Sequence, residues 1–418
     1  MKTTMVIPSY WTRERALGMK ETDAVYDHPT PLDEEGTLKR ALESVNVLED
    51  KDFNLIVIAV ATNHDIAERV EEKVSNIIAS VPSHVPTYLF SHSDLRQVHQ
   101  CVKEADGERF CELLSLKGYS NIRNLCLFLP HVMGSDIAVL IDDDEVFEDP
   151  AFMRKAREYI GRTLDGEFIG AVAGYYLQPD GEWRVTRMKR EWMNHWDKVD
   201  RMNEAFEQTI GRAPRLKKTS FVFGGNMIIH RDIFTRIPFD PNVTRGEDID
   251  FLINMRMFGH TFFLDNTLSI KHLPPPKSHP TWKQLREDMY RFLFERAKLR
   301  GQDGAVRDMC YVSAEELSPY PGAFLKDDLE EKITHACLVL AEDYRAEGKE
   351  HDMSETLKNI DIARKSALAD KDAFHHLVDF QKRWEDMMMV STEEALRSGL
   401  MASFVHGQFF YLFPTEAR

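Results

Sequence analysis

Cysteine is scarce in this chain of 418 residues: there are five, at positions 101, 111, 126, 310 and 337, an odd and widely spaced set with no Cys-x-x-Cys. Neither a disulfide framework nor a zinc knuckle is encoded, and a reducing cytoplasm is the expected location. Long hydrophobic runs are missing too. The longest, Leu55 to Ala61, is far short of a membrane span, and the N-terminus has no apolar secretory segment. Positive charge is in deficit, with 53 Lys and Arg against 69 Asp and Glu for a net charge of −16. That surface repels phosphate backbones, which argues against nucleic acid as a partner. A Gly-x-Gly-x-x-Gly after a strand is absent, so no nicotinamide dinucleotide site is encoded. What remains is ordinary globular composition, 43% hydrophobic and 29% charged, in a chain long enough for two or three units.

The first half alternates. Met5 to Ile7 reads as a buried strand that stops at Pro8, Glu34 to Val45 as a helix burying Leu38, Ala41, Leu42 and Val45, and Leu55 to Ala61 as a second buried strand. Helical patterns at 64–80 and 119–133 flank strands at 87–91 and 137–141, and Phe168 to Tyr176 reads as a further strand. The pattern predicts a mostly parallel α/β sheet covered by helices. From Pro280 onward the signals are helical, with Leu329, Ile333, Ala336, Cys337, Leu340 and Tyr344 in one stripe and capping boxes at Ser313/Glu316 and Ser391/Glu394. The proline run Leu273 to Pro276 marks the boundary, giving expected domains at 1–275 and 276–418 with no internal repeat.

The sharpest chemical feature is the strand Ile137 to Ile141 running directly into Asp142, Asp143, Asp144 and Glu145. Carboxylates two apart at the C-terminal end of a sheet strand suit a hard divalent cation, which offsets their repulsion. A solvated strand end, with Asp149 capping the helix that opens at Pro150, is the plainer reading. Just upstream, Lys117, Gly118 and Arg123 open a helix where an anion would be favoured. Gly224, Gly225 and Asn226 form a paired-glycine segment that lets a ligand approach the backbone. Glu247 and Asp248 sit in the first turn of an apolar helix, where acids are favoured by the helix dipole in any case. His272 ends a strand before the proline run.

Taken together and in this order, the strings resemble a GT-A fold glycosyltransferase of the family 2 type over about residues 4–275. Val6 to Tyr10, with Pro8, Ser9 and Tyr10, looks like the family's nucleotide-contacting turn, Gly118 to Asn124 like its Gly-x-x-x-x-Arg-Asn string, and Asp142-Asp143-Asp144 like its metal-binding Asp-x-Asp. The resemblance implies a nucleoside-diphosphate sugar, UDP- or GDP-linked, held through Mg2+ or Mn2+. Asp142, Asp144 and His272 are then the metal ligands, and Pro8, Ser9, Tyr10, Lys117, Gly118, Arg123, Asp142 and Asp143 face the donor. Glu247 and Asp248 resemble the Glu-Asp pair whose Asp is the general base of inverting members, and Gly224, Gly225 and Asn226 resemble its acceptor-side segment.

Two departures stand out. About twenty residues, Thr12 to Pro31, are inserted after the first strand, and Thr62 to Asp65 replaces the family's usual acidic turn. The stretch Trp183, Arg184, Arg187, Lys189, Arg190, Trp192 and Trp196 suits stacking on a sugar or pairing with a phosphate, and Trp192 is the acceptor-side residue chosen from it. The acceptor is then a small soluble or surface-presented hydroxyl compound, and the helical tail closes over it or forms a homodimer surface. The alternatives are a retaining GT-A synthase of glucosyl- or mannosyl-(phospho)glycerate type, which needs no base at Asp248, and a non-catalytic nucleotide- or sugar-binding module.

Overall fold

Side chains of the first strand alternate between two cores. Met5 and Ile7 join one apolar cluster and Val6 the other, because successive residues of a strand point to opposite faces. A computed structural model describes the chain except for residues 19, 21, 107, 276–278, 305, 307–308, 370–371 and 393–418.

The strands are β1 (Thr3–Thr12), β2 (Thr30–Pro31), β3 (Asn54–Ala61), β4 (Thr87–Phe90), β5 (Ile137–Leu140), β6 (Glu145–Val146), the hairpin β7 (Thr163–Leu164) and β8 (Glu167–Phe168), β9 (Ala171–Leu177), β10 (Leu216–Lys218), β11 (Met227–His230) and β12 (Phe262–His272). The main sheet runs β10-β12-β9-β11-β5-β1-β3-β4, with β2 beside β1 and β6 beside β12. Pairs β4/β3, β3/β1, β1/β5 and β9/β12 are parallel, and β11 is inserted antiparallel between β5 and β9. The expected mostly parallel α/β sheet flanked by helices is therefore present.

Helices α1 (Leu38–Ser44) and α2 (Ala67–Ser80) cover one face of the sheet, together with α5 further along the chain (Phe152–Tyr159). On the other face lie α3 (His92–Asp106), α4 (Tyr119–Val132), α6 (Lys198–Thr209), α7 (Arg231–Phe234) and α8 (Glu247–Met257). The C-terminal helices are α9 (Thr281–Arg300), α10 (Leu329–Ala346), α11 (Glu350–Ala369) and α12 (Ala373–Val390). Their apolar faces share the second core: Phe292, Leu340, Leu377 and Trp384 are buried in one cluster with Phe128 and Ile253. Lys298 of α9, fully buried, ties the layers by ion pairs to Asp240 (2.9 Å) and Asp250 (2.6 Å). An ammonium removed from water this far requires such partners.

The structure corrects several sequence expectations. β1 does not stop at Pro8 but runs on to Thr12. Val6 accepts from the Ile141 N–H on the β5 side, so by alternation the Pro8 nitrogen also faces that side, beyond the last paired residue of β5, and its missing N–H breaks no ladder. The helix expected from Glu34 starts at Leu38, because Gly36 turns the chain at φ +72°. The strand expected from Phe168 to Tyr176 is two elements, β8 and β9, separated at Gly170, where a Cβ would lie 2.5 Å from Ile233. Ser313 Oγ accepts from the Glu316 N–H and donates to the Glu316 carboxylate, which is half of a capping box, yet Pro319 and Pro321 deny the backbone donors a helix needs, and turns follow. Pro276 of the boundary and Glu394 of the other capping box lie outside the described residues.

Candidate active site

Where β5 ends, the chain delivers four acids to the C-terminal edge of the parallel strands, the edge at which open α/β sheets take ligands. Asp142, Asp143 and Asp144 are half-buried and Glu145 fully buried. Oxygens of Asp142, Asp144 and Glu145 lie within 4.8 Å of one another. Glu145 Oε2 accepts from the Asp142 N–H at 3.0 Å, whereas Oε1 is buried with no hydrogen-bond partner. An all-oxygen set with an unsatisfied carboxylate oxygen fits Mg2+ or Mn2+. Glu145 is absent from the sequence-derived ligand set, which took Asp142, Asp144 and His272; its adjacency to the acid run was the available signal.

His272 takes a different place. Its Nε2 lies 3.3 Å from Asp144 Oδ2, and its ring stacks on Tyr176 with centroids 4.7 Å apart. Burial alone would raise the Asp144 carboxyl, but His272 and His28 hold it below the usual range. Burial and the charge of Asp144 push Asp143 up to about 8, even though Ser9 Oγ donates to it at 2.6 Å. Burial likewise raises Asp142 and Glu145, the first against the opposing pull of Arg123.

Arg123 joins the two halves of the site. Gly118, at φ +88°, opens α4, and one turn later Arg123 is buried with Nη2 at 2.8 Å from Asp142 Oδ1 and Nε at 3.2 Å from Glu247 Oε1. Burial pushes the Glu247 carboxyl up to about 7, with Arg123 pulling it down and the Asp248 charge adding to the rise. Asp248, half-buried at the start of α8, opens onto the same cavity.

The paired glycines have a structural reason. A Cβ on Gly224 would lie 2.7 Å from Arg123 Nη2, and one on Gly225 would lie 2.1 Å from Glu145 Oε1. Both positions let charged side chains close in on the backbone. Asn226 is fully buried and its Nδ2 donates to the carbonyls of Leu268 (3.1 Å) and Tyr175 (3.3 Å), so it ties β9 to β12.

The cavity holds about 360 Å³ and brings together Tyr10, Arg123, Asp142, Asp143, Asp144, Gly224, Glu247, Asp248 and His272. Ser9 and Pro8 lie behind it in β1, Ser9 through Asp143. Exposed Lys117 does not line it; with Asn63, His64 and His92 it lines a separate hollow at the ends of β3 and β4. Trp192 is buried in the core and faces smaller hollows, not this one. The inserted loop contributes Asp27 and His28 to the wall.

Sequence reading missed one whole side. Asp288 and Arg291 of α9, Tyr320, Lys198 of α6 and Arg245 all line the cavity. Arg291 Nη2 donates to the Tyr320 hydroxyl at 2.9 Å, Arg245 pairs with Asp27 at 2.9 Å, and Lys198 pairs with Asp288. Spread over more than a hundred residues on helices with ordinary charge patterns, these side chains carried no local signal. Burial would raise the Asp288 carboxyl, but the charges of Lys198, Arg291 and Arg245 prevail and bring it down to about 2. A carboxyl depressed in the fold from about 3.9 stabilises above pH 4, by about 2.5 kcal/mol, and loses that contribution as pH falls through 2. Asp288→Asn should therefore lower the unfolding free energy at pH 7 by about 3 kcal/mol, since Lys198 loses its ion-pair partner and Arg291 one of its two. The gap to wild type should shrink at pH 3; urea unfolding at both pH values checks it.

No protein-family model matches the chain, and no curated protein matches it in sequence. Among solved structures it is similar to the mannosyltransferase PcManGT from Pyrobaculum calidifontis in complex with GDP-Man and Mn2+, at 14% identity and a TM-score of 0.46 over 97% of this chain and 86% of that one. It is also similar to a mycobacterial protein (15% identity, TM-score 0.38, 70% and 72% covered). A third similar structure is GalNAc-T7 with UDP, GalNAc and Mn2+ (12% identity, TM-score 0.34), with 76% of this chain covered and 53% of that one.

Proposed function

We propose that the chain is a GT-A glycosyltransferase that moves a sugar from a UDP- or GDP-linked donor to a hydroxyl acceptor with inversion, using Mg2+ or Mn2+. The observation that carries this reading is the convergence of Asp142, Asp144, Glu145, Arg123 and Asp248 on one cavity at the C-terminal strand edge. Asp142, Asp144 and Glu145 would hold the metal, with His272 orienting Asp144. When bound, the metal neutralises the charge that develops on the departing diphosphate.

The chain's own residues divide the remaining work. Arg123 sets the distance between the acid cluster and α8 through its two ion pairs, and it adds positive charge beside the leaving group. Asp248 takes the proton from the acceptor hydroxyl, and Glu247, locked by Arg123, fixes the start of α8 that carries it. Tyr10, packed against Tyr26 and Tyr119 with centroids 4.6 and 5.3 Å away, walls the donor side, and the hollow beside Lys117 takes the nucleoside. Residues 1–275 supply the donor half and 276–418 complete the acceptor half, with Asp288 and Arg291 reaching in. Among the described residues no helix is long and apolar enough to cross a membrane, which fits an acceptor met in water.

Calorimetric titration of UDP, GDP and ADP, each with and without Mn2+, tests the reading. One nucleotide should bind only with Mn2+, and Asp144→Ala should weaken it at least about tenfold. If no nucleotide binds to wild type, the reading fails. The anomeric configuration of the product, read by NMR, should be opposite to that of the donor.

A further inference from the structure

Tyr175 and Tyr176 follow one another on β9, so their rings leave opposite faces of the sheet. Tyr175 packs against one core and Tyr176 against the other, and only Tyr176 stands in the wall of the metal cavity. Register pairs Tyr176 with Ile270 of β12, two residues before His272. Alternation turns Ile270 and His272 to the same side, which brings the imidazole alongside the phenol. The two rings stack with centroids 4.7 Å apart and planes 25° from parallel. Phe223 packs on the same phenol at 4.5 Å, so the ring that fixes His272 is itself held.

The hydroxyl of Tyr176 has a separate contact. It accepts from the Gly225 N–H at 2.8 Å, and Gly225 is the residue whose added Cβ would lie 2.1 Å from Glu145 Oε1. The phenol oxygen therefore holds in place the backbone against which the Glu145 carboxylate rests. His272, for its part, lies 3.3 Å from Asp144 through Nε2. One side chain thus bears on two carboxylates of the acid cluster, on Asp144 through His272 and on Glu145 through Gly225. Three clustered carboxylates repel one another, and a divalent cation binds best when they are already held at its bonding distances. A lysine or arginine could hold them too, but its charge would compete with the cation. A neutral phenol restrains without competing.

We propose that Tyr176 is the positioning residue of the metal centre: its ring sets the plane of His272 and so the place of Asp144, its hydroxyl sets Gly225 and so the place of Glu145, and affinity for a divalent cation depends on both contacts. The proposal rests on the metal-dependent reading of the acid cluster and deepens it, since it names what holds the ligands together.

The test needs Mn2+ alone, with no nucleotide present, which separates this proposal from the transferase reading. Mn2+ is titrated into the full chain and the free ion is followed by electron paramagnetic resonance, with a melting temperature taken for every variant. Tyr176→Phe keeps the stack on His272 and removes only the hydroxyl, and it should weaken Mn2+ binding about tenfold, the lower end of the range for groups that orient metal ligands. Tyr176→Leu removes both contacts and should approach the upper end, about a hundredfold. Tyr175→Phe removes a hydroxyl from the same strand on the opposite face and should leave the affinity within about twofold of wild type. If Tyr176→Leu does not fold, the comparison of the two phenylalanine variants decides. Mn2+ affinity unchanged in Tyr176→Phe overturns the proposal, and so does an equal loss in Tyr175→Phe, which would make the effect one of strand stability. Mn2+ binding that responds to Tyr176→Phe in a protein that takes no nucleotide supports the proposal and sinks the transferase reading. Nucleotide binding with Mn2+ that is indifferent to Tyr176 does the reverse, and a wild type that binds no Mn2+ overturns both.

Discussion

Asp248→Asn should lower kcat for sugar transfer by about 10²–10⁴-fold, the range over which a positioned general base contributes, while Mn2+-dependent nucleotide binding is unchanged. The substitution keeps the shape of the side chain and its contact to the Ile249 N–H, where Oδ1 accepts at 2.9 Å. It removes only the capacity to take a proton. Asp248 is suited to that task by position: it opens onto the cavity at the start of α8, and the cations of Arg123 and Arg291 lie on the same cavity wall. Near-wild-type turnover in the variant would remove Asp248 from the mechanism. Retention of anomeric configuration alongside it would favour the retaining alternative, in which no base is needed at this position.

The second large effect is on stability. Arg123→Met should cost about 3–5 kcal/mol in unfolding free energy at neutral pH, because it strands the Asp142 and Glu247 carboxylates without their shared cation. The guanidinium is 4% exposed, so solvent screens little of the interaction. Denaturant unfolding should show the midpoint falling with an unchanged slope. Nucleotide binding should be lost as well, since α8 and the acid cluster lose the group that spaces them. A loss under 1 kcal/mol would mean that the two carboxylates find other partners, and that Arg123 does not hold the site together.

The sheet was legible because its signals are local. Continuous apolar runs at 55–61 and 137–141 can lie only in the interior of a sheet, and both are found there as β3 and β5. The acid run and Arg123 were legible for the same reason, as a charge anomaly at a strand end and a basic residue one turn into a helix. At Gly225 the sequence shows that a small residue is needed but not what approaches it: here it is the Glu145 carboxylate from the protein itself. Burial of Trp192 was not legible either, since an aromatic next to Arg and Lys looks the same in sequence whether its ring is exposed or, as here, buried. Asp288, Arg291 and Tyr320 could not be read at all. Their role follows from α9 packing over α8, a tertiary arrangement that no short window contains.

The span of these partnerships has a consequence for how the chain is made. Arg123 and Asp142 leave the ribosome early, whereas Glu247, Asp288 and Lys298, which complete the site and clamp its helices, come more than a hundred residues later. At about 5–20 residues per second, the acid-ended strand waits roughly five to thirty seconds for them. Arg123 is made before both of the carboxylates it joins, and until Glu247 emerges Asp142 is the only one of the two available to it. The antiparallel β11, contributed late yet lying between β5 and β9, delays closure of the sheet, since its two halves cannot join until β11 has been synthesised. The order of strands across the sheet thus keeps its two halves apart until residues 227–230 have been made.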